Sequence, residues 1–322
     1  MFLNNRSSHR PQLARGRVDE SLALAAVVVE RTLCVDGRIW APCTTPRTAS
    51  DPPNTAGEPL WEGTSVTVSG SVRGPRVPPF RAEVQVVAGA ERRAVVVWGD
   101  RQWVRNAGRL IASQPAPFLE KPLSWTLAFG GGYDVAPGMC PIRRLPHPGG
   151  RVAHPLNPVG VGFYRDEAAA EGKPLPSIEW PDALVTRWDD RPEPAGLSPC
   201  PELRGLRLPS GLTAPKEDLD AEVEIALRCR LLHPACGRLV LTELRAGSPV
   251  LVRGVGIEMP VLEVPPSPVR VTAVRGASAT PVPSGLRWIH IDAAAGIARL
   301  CYGHSFAYSP AAPPSSIAVR DT

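Results

Sequence analysis

Two stretches of this chain carry residue types and spacings that belong to acyl-transfer chemistry. Residues 129–132 read FGGG, the form of a glycine-rich loop whose N–H groups cradle an oxyanion. Residues 302–308 read YGHSFAY, one residue short of a nucleophile elbow, with Ala307 where the second glycine belongs. An elbow needs a strand, a sharp turn and a helix in succession. Ser305 instead lies in an alternating run that continues into SPAAPPSS, where the prolines forbid a helix. The elbow also expects its acid and its histidine later in the chain, and no histidine follows His304. Ser305 is therefore expected to be a strand residue, and an esterase-like serine hydrolase using it is the alternative function.

Other constellations are thinner. Cys229, His233 and Cys236 offer soft or borderline ligands, but structural zinc takes four, and no fourth lies nearby. Cys229 falls on the apolar face of an alternating run, where cysteine acts as a small hydrophobe. Cys140, His147 and His154 form a looser set in a proline-rich loop. Neither glycine pair, at Gly160 and Gly162 or at Gly254 and Gly256, has the third glycine and helix of a dinucleotide fingerprint, and no phosphate-binding loop is present. Asp189 and Asp190 sit beside Trp188 and Arg191 in a polar turn. The expectation is no catalytic residue, no metal and no cofactor. Trp103, Trp180 and Trp188, if exposed, would fit a carbohydrate-binding β-module, although aromatics more often anchor a core or loop.

The elements that must position these residues are strands. The 322 residues include 38 prolines, about twice the usual ~5% share, and proline is excluded from helix interiors. Alternation recurs at Val66 and Val68, at Val84 and Val86, and at Val223, Ile225 and Leu227, while residues 23–29 and 94–98 read as deeply buried strands. Residues 286–292 and 297–308 flank a short loop in which Gly296 supplies positive φ, a hairpin pattern. Asp166 and Gly172 bracket one short helix. The fold class expected is mainly β: antiparallel sheets in a sandwich or open barrel, with long Pro/Gly-rich loops and few short helices.

The chain divides softly into a flexible basic arm at 1–20, a β-rich core at 21–215, and a second β-rich portion at 216–322 that ends in a hairpin and a proline-rich tail. The net charge is +5, yet arginine is dispersed and only Lys121, Lys173 and Lys216 are lysines. The arm has no aromatic but Phe2 to stack a base, so nucleic acid is not an expected partner. Seven cysteines, an odd number, point to a reducing compartment. The apolar run from Leu22 to Val29 is too short to span a membrane, so a cytoplasmic protein without membrane insertion is expected.

Blocks along the chain resemble a bacterial type VI secretion accessory family catalogued as a domain of unknown function. They are VVVWGDRQW at 95–103, PFLEKPLSWTLAFGGGYD at 117–134, NPVGVGFY at 157–164, LPSIEWP at 175–181 and RPEPAGLSPC at 191–200, in the family's order. The likeness weakens after residue 200, where the family's next tryptophan is missing. The resemblance implies a non-enzymatic adaptor or chaperone that helps load an effector onto the secretion spike, with effector and spike or spike-tip proteins as partners. The candidate partner-binding set is Trp103, Phe129, Gly130, Gly131, Gly132, Asn157, Pro158, Gly160 and Gly162. There glycines and prolines crowd around aromatics, and irregular segments held on a rigid sheet are where recognition resides. The glycines are expected above all to let the intervening loop fold back on the strand that ends at Phe129.

Overall fold

The computed structural model describes residues 1–17, 21–43, 63–73, 80–135, 138–139, 146–147, 150–200, 235–242, 244–256 and 258–322. The protein is mainly β, in several mixed and antiparallel sheets without a closed barrel among these residues. The notional boundary near 215 and the alternating run at 223–229 lie outside the described residues.

The organising element is the strand Ala23–Asp36, whose residues 25–29 are all almost inaccessible. Along one side it pairs with Ile297–Tyr308 from Ala23↔Tyr308 to Cys34↔Ile297. Along the other it takes Gln12–Arg17 at its start and Ile39–Pro42 at its end. The hairpin read from the sequence is present: Gly285–Asp292 returns as Ile297–Tyr308, with Gly296 at φ +64°. Thr64–Ser69 then joins in parallel beside Gly285–Asp292, and Val240–Leu241 closes the edge of this seven-stranded sheet.

A five-stranded antiparallel sheet lies against it, in the order Ile178–Glu179, Glu91–Trp98, Arg81–Ala88, Pro249–Arg253, Leu262–Glu263. One apolar cluster joins the two sheets. Val66, Val68, Ile289, Ile291 and Leu300 meet Val84, Val86, Val95, Val97 and Val252, which is the consequence of period-two alternation on facing strands. Both sheets draw strands from either side of residue 215, so the expected division into 21–215 and 216–322 is not a division of the packing.

A four-stranded sheet, Phe2–Asn5, Ser316–Asp321, Val269–Arg275, Ser278–Val282, forms a smaller core with Val27 and Val29. One expectation is corrected here. The arm at 1–20 is strand over Phe2–Asn5 and Gln12–Arg17, because Met1, Leu3 and Leu13 pack on that core and Ser8 N–H donates to the Asp321 carboxylate at 3.1 Å. The proline-rich tail leads into the strand Ser316–Asp321, with Ile317 and Val319 buried.

Cys34 and Cys43 form a disulfide across the hairpin formed by Ala23–Asp36 and Ile39–Pro42, with Cα atoms 5.2 Å apart. That pairing runs against the reading of the cysteines as free thiols of a reducing compartment. No helix among the described residues is long and apolar enough to cross a membrane. The one α-helix described, Glu167–Ala170, is capped as the sequence predicts, by Asp166 accepting from Ala169 N–H.

His290 is buried on the outer side of the seven-stranded sheet and stacks on Trp288. Trp288 Nε1–H donates to Thr67 Oγ1 at 2.9 Å, and the same hydroxyl lies 3.0 Å from His290 Nδ1. Ser69 Oγ lies 3.2 Å from Nε2, so both ring nitrogens of His290 have hydroxyl partners. Burial pushes its pKa down to about 4, with Asp292 pulling upward and Arg299 downward. The unfolded chain takes up this proton below ~6.5 while the native state refuses it, so stability falls as pH drops from ~6.5 towards 4. This group alone contributes on the order of 3 kcal/mol of that fall, from about 1.4 kcal/mol per pKa unit. His154 and His304 are lowered too and act in the same direction. Denaturant unfolding across this pH range is expected to show a shallower slope for His290→Gln than for the wild type; an unchanged slope would remove His290 from the account.

Candidate functional site

The blocks singled out in the sequence converge on one edge of the five-stranded sheet, where Ile178–Glu179 pairs with Glu91–Trp98 and Ala128 bridges to Ile178. Phe129–Gly130 runs parallel to Val161–Gly162, with Phe129 opposite Val161 and Gly130 opposite Gly162. Val161 N–H donates to Ala128 O at 2.9 Å, Phe163 N–H to Gly130 O at 2.9 Å, and Gly131 N–H to Asn157 O at 2.8 Å. Asn157 is fully buried and its Nδ2 donates to both Trp125 O, 2.9 Å, and Phe129 O, 3.0 Å. What approaches the glycines is thus the chain's own backbone. Gly131 has φ +89°, and a Cβ there would come within 2.5 Å of Gly160 O. A Cβ on Gly160 would in turn meet Ala128 O at 2.6 Å, so each glycine makes room for the other strand.

Beside this knot the residues 98–101 and 177–180 are joined by charge. Arg101 Nη2 donates to Glu179 Oε2 at 2.9 Å and to Pro176 O at 2.7 Å, and the two side chains are 7% and 1% exposed. The remaining Glu179 oxygen accepts Val185 N–H at 2.9 Å. Burial raises the Glu179 pKa, and the Arg101 charge acts against that rise. The Arg101 guanidinium also lies over the Trp98 ring, 4.6 Å from its centroid. Lys121 Nζ, likewise buried, contacts the Asp100 carboxylate and Ser177 Oγ. Trp180 Nε1–H donates to Pro194 O and Trp125 Nε1–H to Pro199 O, which fasten residues 191–200 onto the rest.

The candidate set is therefore brought together, but mostly facing inward. Trp103 and Phe129 are each 1% exposed and share a cluster with Leu175 and Val185. Gly130, Gly131 and Gly162 are buried, Gly132, Pro158 and Gly160 are half-buried, and only their neighbour Val159 stands well out, at 51%. Any contact these residues make with a partner passes through the loop around Pro158–Gly160; Trp103, Phe129 and Asn157 hold that loop in place. His154 closes the knot edge-on to Phe129 and Phe163, its Nδ1 accepting Asn157 N–H at 3.3 Å. Burial first, then Arg191, keeps it neutral.

The other candidates separate. Ser305 sits within Ile297–Tyr308 opposite Ala26, and the neighbouring His304 binds Ser267 Oγ at 3.0 Å instead. Trp180 is 2% exposed and Trp188 packs against the Trp103 cluster, so both serve as anchors. Cys236 is buried beside Gly196 O; Cys229, His233 and Cys140 lie outside the described residues. The charged group of Arg101, Lys121 and Glu179 was not singled out in the sequence. Its signals were a lone lysine in EKP and single charges set among apolar residues in WGDRQW and PSIEW.

Substitutions separate scaffold from surface. Trp103→Ala is expected to cost about 3–5 kcal/mol as a large buried aromatic. Glu179→Ala should cost ~3–5 kcal/mol by leaving Arg101 buried without its counter-charge. Val159→Ser should stay within about 0.5 kcal/mol. Thermal or denaturant unfolding of the three variants checks the ranking, and a destabilised Val159→Ser with a neutral Glu179→Ala would reverse the assignment.

No curated protein and no solved structure matches this chain. A family model does, described as an uncharacterized protein conserved in bacteria and designated DUF2169, over residues 31–302. That span takes in the glycine knot, the buried charge cluster, the five-stranded sheet and the larger apolar core from Leu33 to Tyr302, so the chain belongs to the DUF2169 family.

Proposed function

We propose that this protein is a non-enzymatic adaptor that helps load an effector onto the type VI secretion spike, with effector and spike or spike-tip proteins as its partners. The observation that carries the reading is where the polar groups of the family-like blocks go. Arg101, Lys121, Glu179, Asn157, Trp125 and Trp180 all bond to the chain's own carboxylates, hydroxyls and carbonyls. Catalytic sites turn such groups outward, towards a substrate. Here they make a platform from which a loop with exposed Val159 projects, and Leu184, in the segment that follows Trp180, is exposed as well. A preorganised platform of this kind loses little conformational freedom on binding. The type VI assignment itself rests on the order and wording of the blocks that resemble that family.

The test is co-purification of the tagged protein with the products of genes beside its own, using wild type, Val159→Asp and Leu184→Asp. The expected outcome is capture of an effector or spike protein by the wild type, with about tenfold weaker binding by at least one variant at unchanged melting temperature. Failure of the folded wild type to hold any of these products would end the adaptor reading. A fluorophosphonate probe should leave the protein unlabelled, and labelling abolished by Ser305→Ala would replace the adaptor with a hydrolase.

A further inference from the structure

On the opposite flank of the five-stranded sheet, the strand Pro249–Arg253 is paired along one side only for most of its length. On its inner side it meets Arg81–Ala88 throughout, from Val250↔Ala88 to Arg253↔Gln85. On its outer side Leu262–Glu263 covers only Pro249 and Val250. Main-chain direction follows from the hydrogen bonds at the strand's start. Gly89 N–H donates to Pro249 O, so Pro249, Leu251 and Arg253 turn their polar groups inward. Val264 N–H donates to Ser248 O, so Ser248, Val250 and Val252 turn theirs outward.

The outer register, continued, would set Val252 opposite Pro260. Proline has no N–H to give, and the Pro260 carbonyl is taken by Trp40 Nε1–H at 2.9 Å. The two arms therefore part at this point. Between them opens a cavity of about 610 Å³ lined by Gly37, Arg38, Val252, Arg253, Met259 and Val261, among others. Among the described residues no strand covers Val252 here. Exposed Ile39, 63%, and Val261, 50%, stand at the rim. Two arginines, Arg38 and Arg253, line the groove against the single acid Glu258, and neither makes an ion pair among the described residues.

We propose that this groove takes an extended, apolar, acid-bearing segment of a partner protein as an added strand, hydrogen-bonded to the outward N–H and C=O of Val252. An unpaired strand edge supplies main-chain donors and acceptors to any extended chain, and the flanking side chains choose among them. Met259 and Val261 select apolar residues; Arg38 and Arg253 select carboxylates beside them. This deepens the adaptor reading and rests on it for the identity of the partner, since an adaptor between effector and spike needs a second surface besides the loop at Val159.

Hydrogen exchange of the free protein gives the first test. The Val252 amide is expected to exchange at least about a hundredfold faster than those of Leu251 and Arg253, because it alone lacks an inner partner. Equal protection would mean that the chain itself fills the groove, and the proposal falls. The second test uses a synthetic peptide alternating valine with glutamate, its lysine counterpart, and a copy N-methylated at alternate residues. The acidic peptide should bind and protect Val252, the other two should not, and the double variant Arg38→Glu, Arg253→Glu should weaken binding about tenfold. No binding by the acidic peptide, or binding indifferent to charge and N-methylation, overturns the groove. The double variant is also put through co-purification. Retention of every partner by a folded double variant removes the groove and leaves the adaptor standing; peptide binding without any co-purifying partner does the reverse.

Discussion

A buried main-chain polar group must find a hydrogen-bond partner, and a chain with 38 prolines in 322 residues cannot meet that demand with regular ladders alone. Each proline withholds a donor, and where prolines interrupt a strand they leave carbonyls that no ladder N–H meets. The structure meets this with side-chain donors aimed at those carbonyls. Arg101 binds Pro176 O, Trp180 binds Pro194 O, Trp125 binds Pro199 O, Trp40 binds Pro260 O, Tyr164 binds Pro174 O and Tyr302 binds Pro265 O. Indoles, phenols and a guanidinium suit this task because each combines a donor with a large apolar body that can be buried. Of the tryptophans that might have been surface platforms for a ligand, Trp180 is thereby explained as a fastener, while Trp103 and Trp188 pack into an apolar cluster. The glycine knot solves the same problem without side chains, by bringing two backbones close enough to bond directly.

That constraint decides what could be read in advance. Strands with one buried face declare themselves locally: Val66 and Val68, Val84 and Val86, and the terminal hairpin around Gly296 are all where alternation and turn chemistry put them. The Asp166 cap is local as well. Legibility ended where partners are distant in sequence. Nothing near Arg101 announces Glu179, and nothing near Lys121 announces Asp100 and Ser177, because an ion pair leaves no periodicity. The parallel placement of Thr64–Ser69 beside Gly285–Asp292 joins segments more than two hundred residues apart. The close approach of the two glycine blocks was legible, yet the inward orientation of the residues around it was hidden, since glycine and asparagine are at home in exposed loops too.

The start of the chain was misread for a related reason. Arginines in the first residues look like a solvated arm, but Leu3 before them and Leu13 among them pack against the smaller core. Phe2–Asn5 can pair in parallel with Ser316–Asp321 only once the whole intervening chain is in place. Gln12–Arg17 on Ala23–Asp36, by contrast, is a local pairing. Together these segments cover Val27 and Val29, which would otherwise be an exposed apolar face of the longest strand. The family match spans 31–302, so this small core is assembled largely from segments flanking it, while the residues of the larger core, from Leu33 to Tyr302, lie within it.

The distribution of closed and open main chain then bears on function. At the glycine knot the two strands meet each other, and the loop around Val159 is presented outward. At Val252 the pattern is inverted: Pro260 and Trp40 between them prevent the next rung of a ladder that the register would otherwise continue. A proline placed opposite an edge strand is a usual protection against unwanted strand addition when it sits on the edge itself. Here it sits on the neighbouring arm, and so it exposes the edge of Pro249–Arg253 instead of blunting it. Arginine at both Arg38 and Arg253 restores selectivity that the open edge loses, because a like-charged or uncharged strand gains nothing from them while an acidic one does. An edge kept open by one arm and guarded by charge on the other is a surface arranged for a particular extended partner.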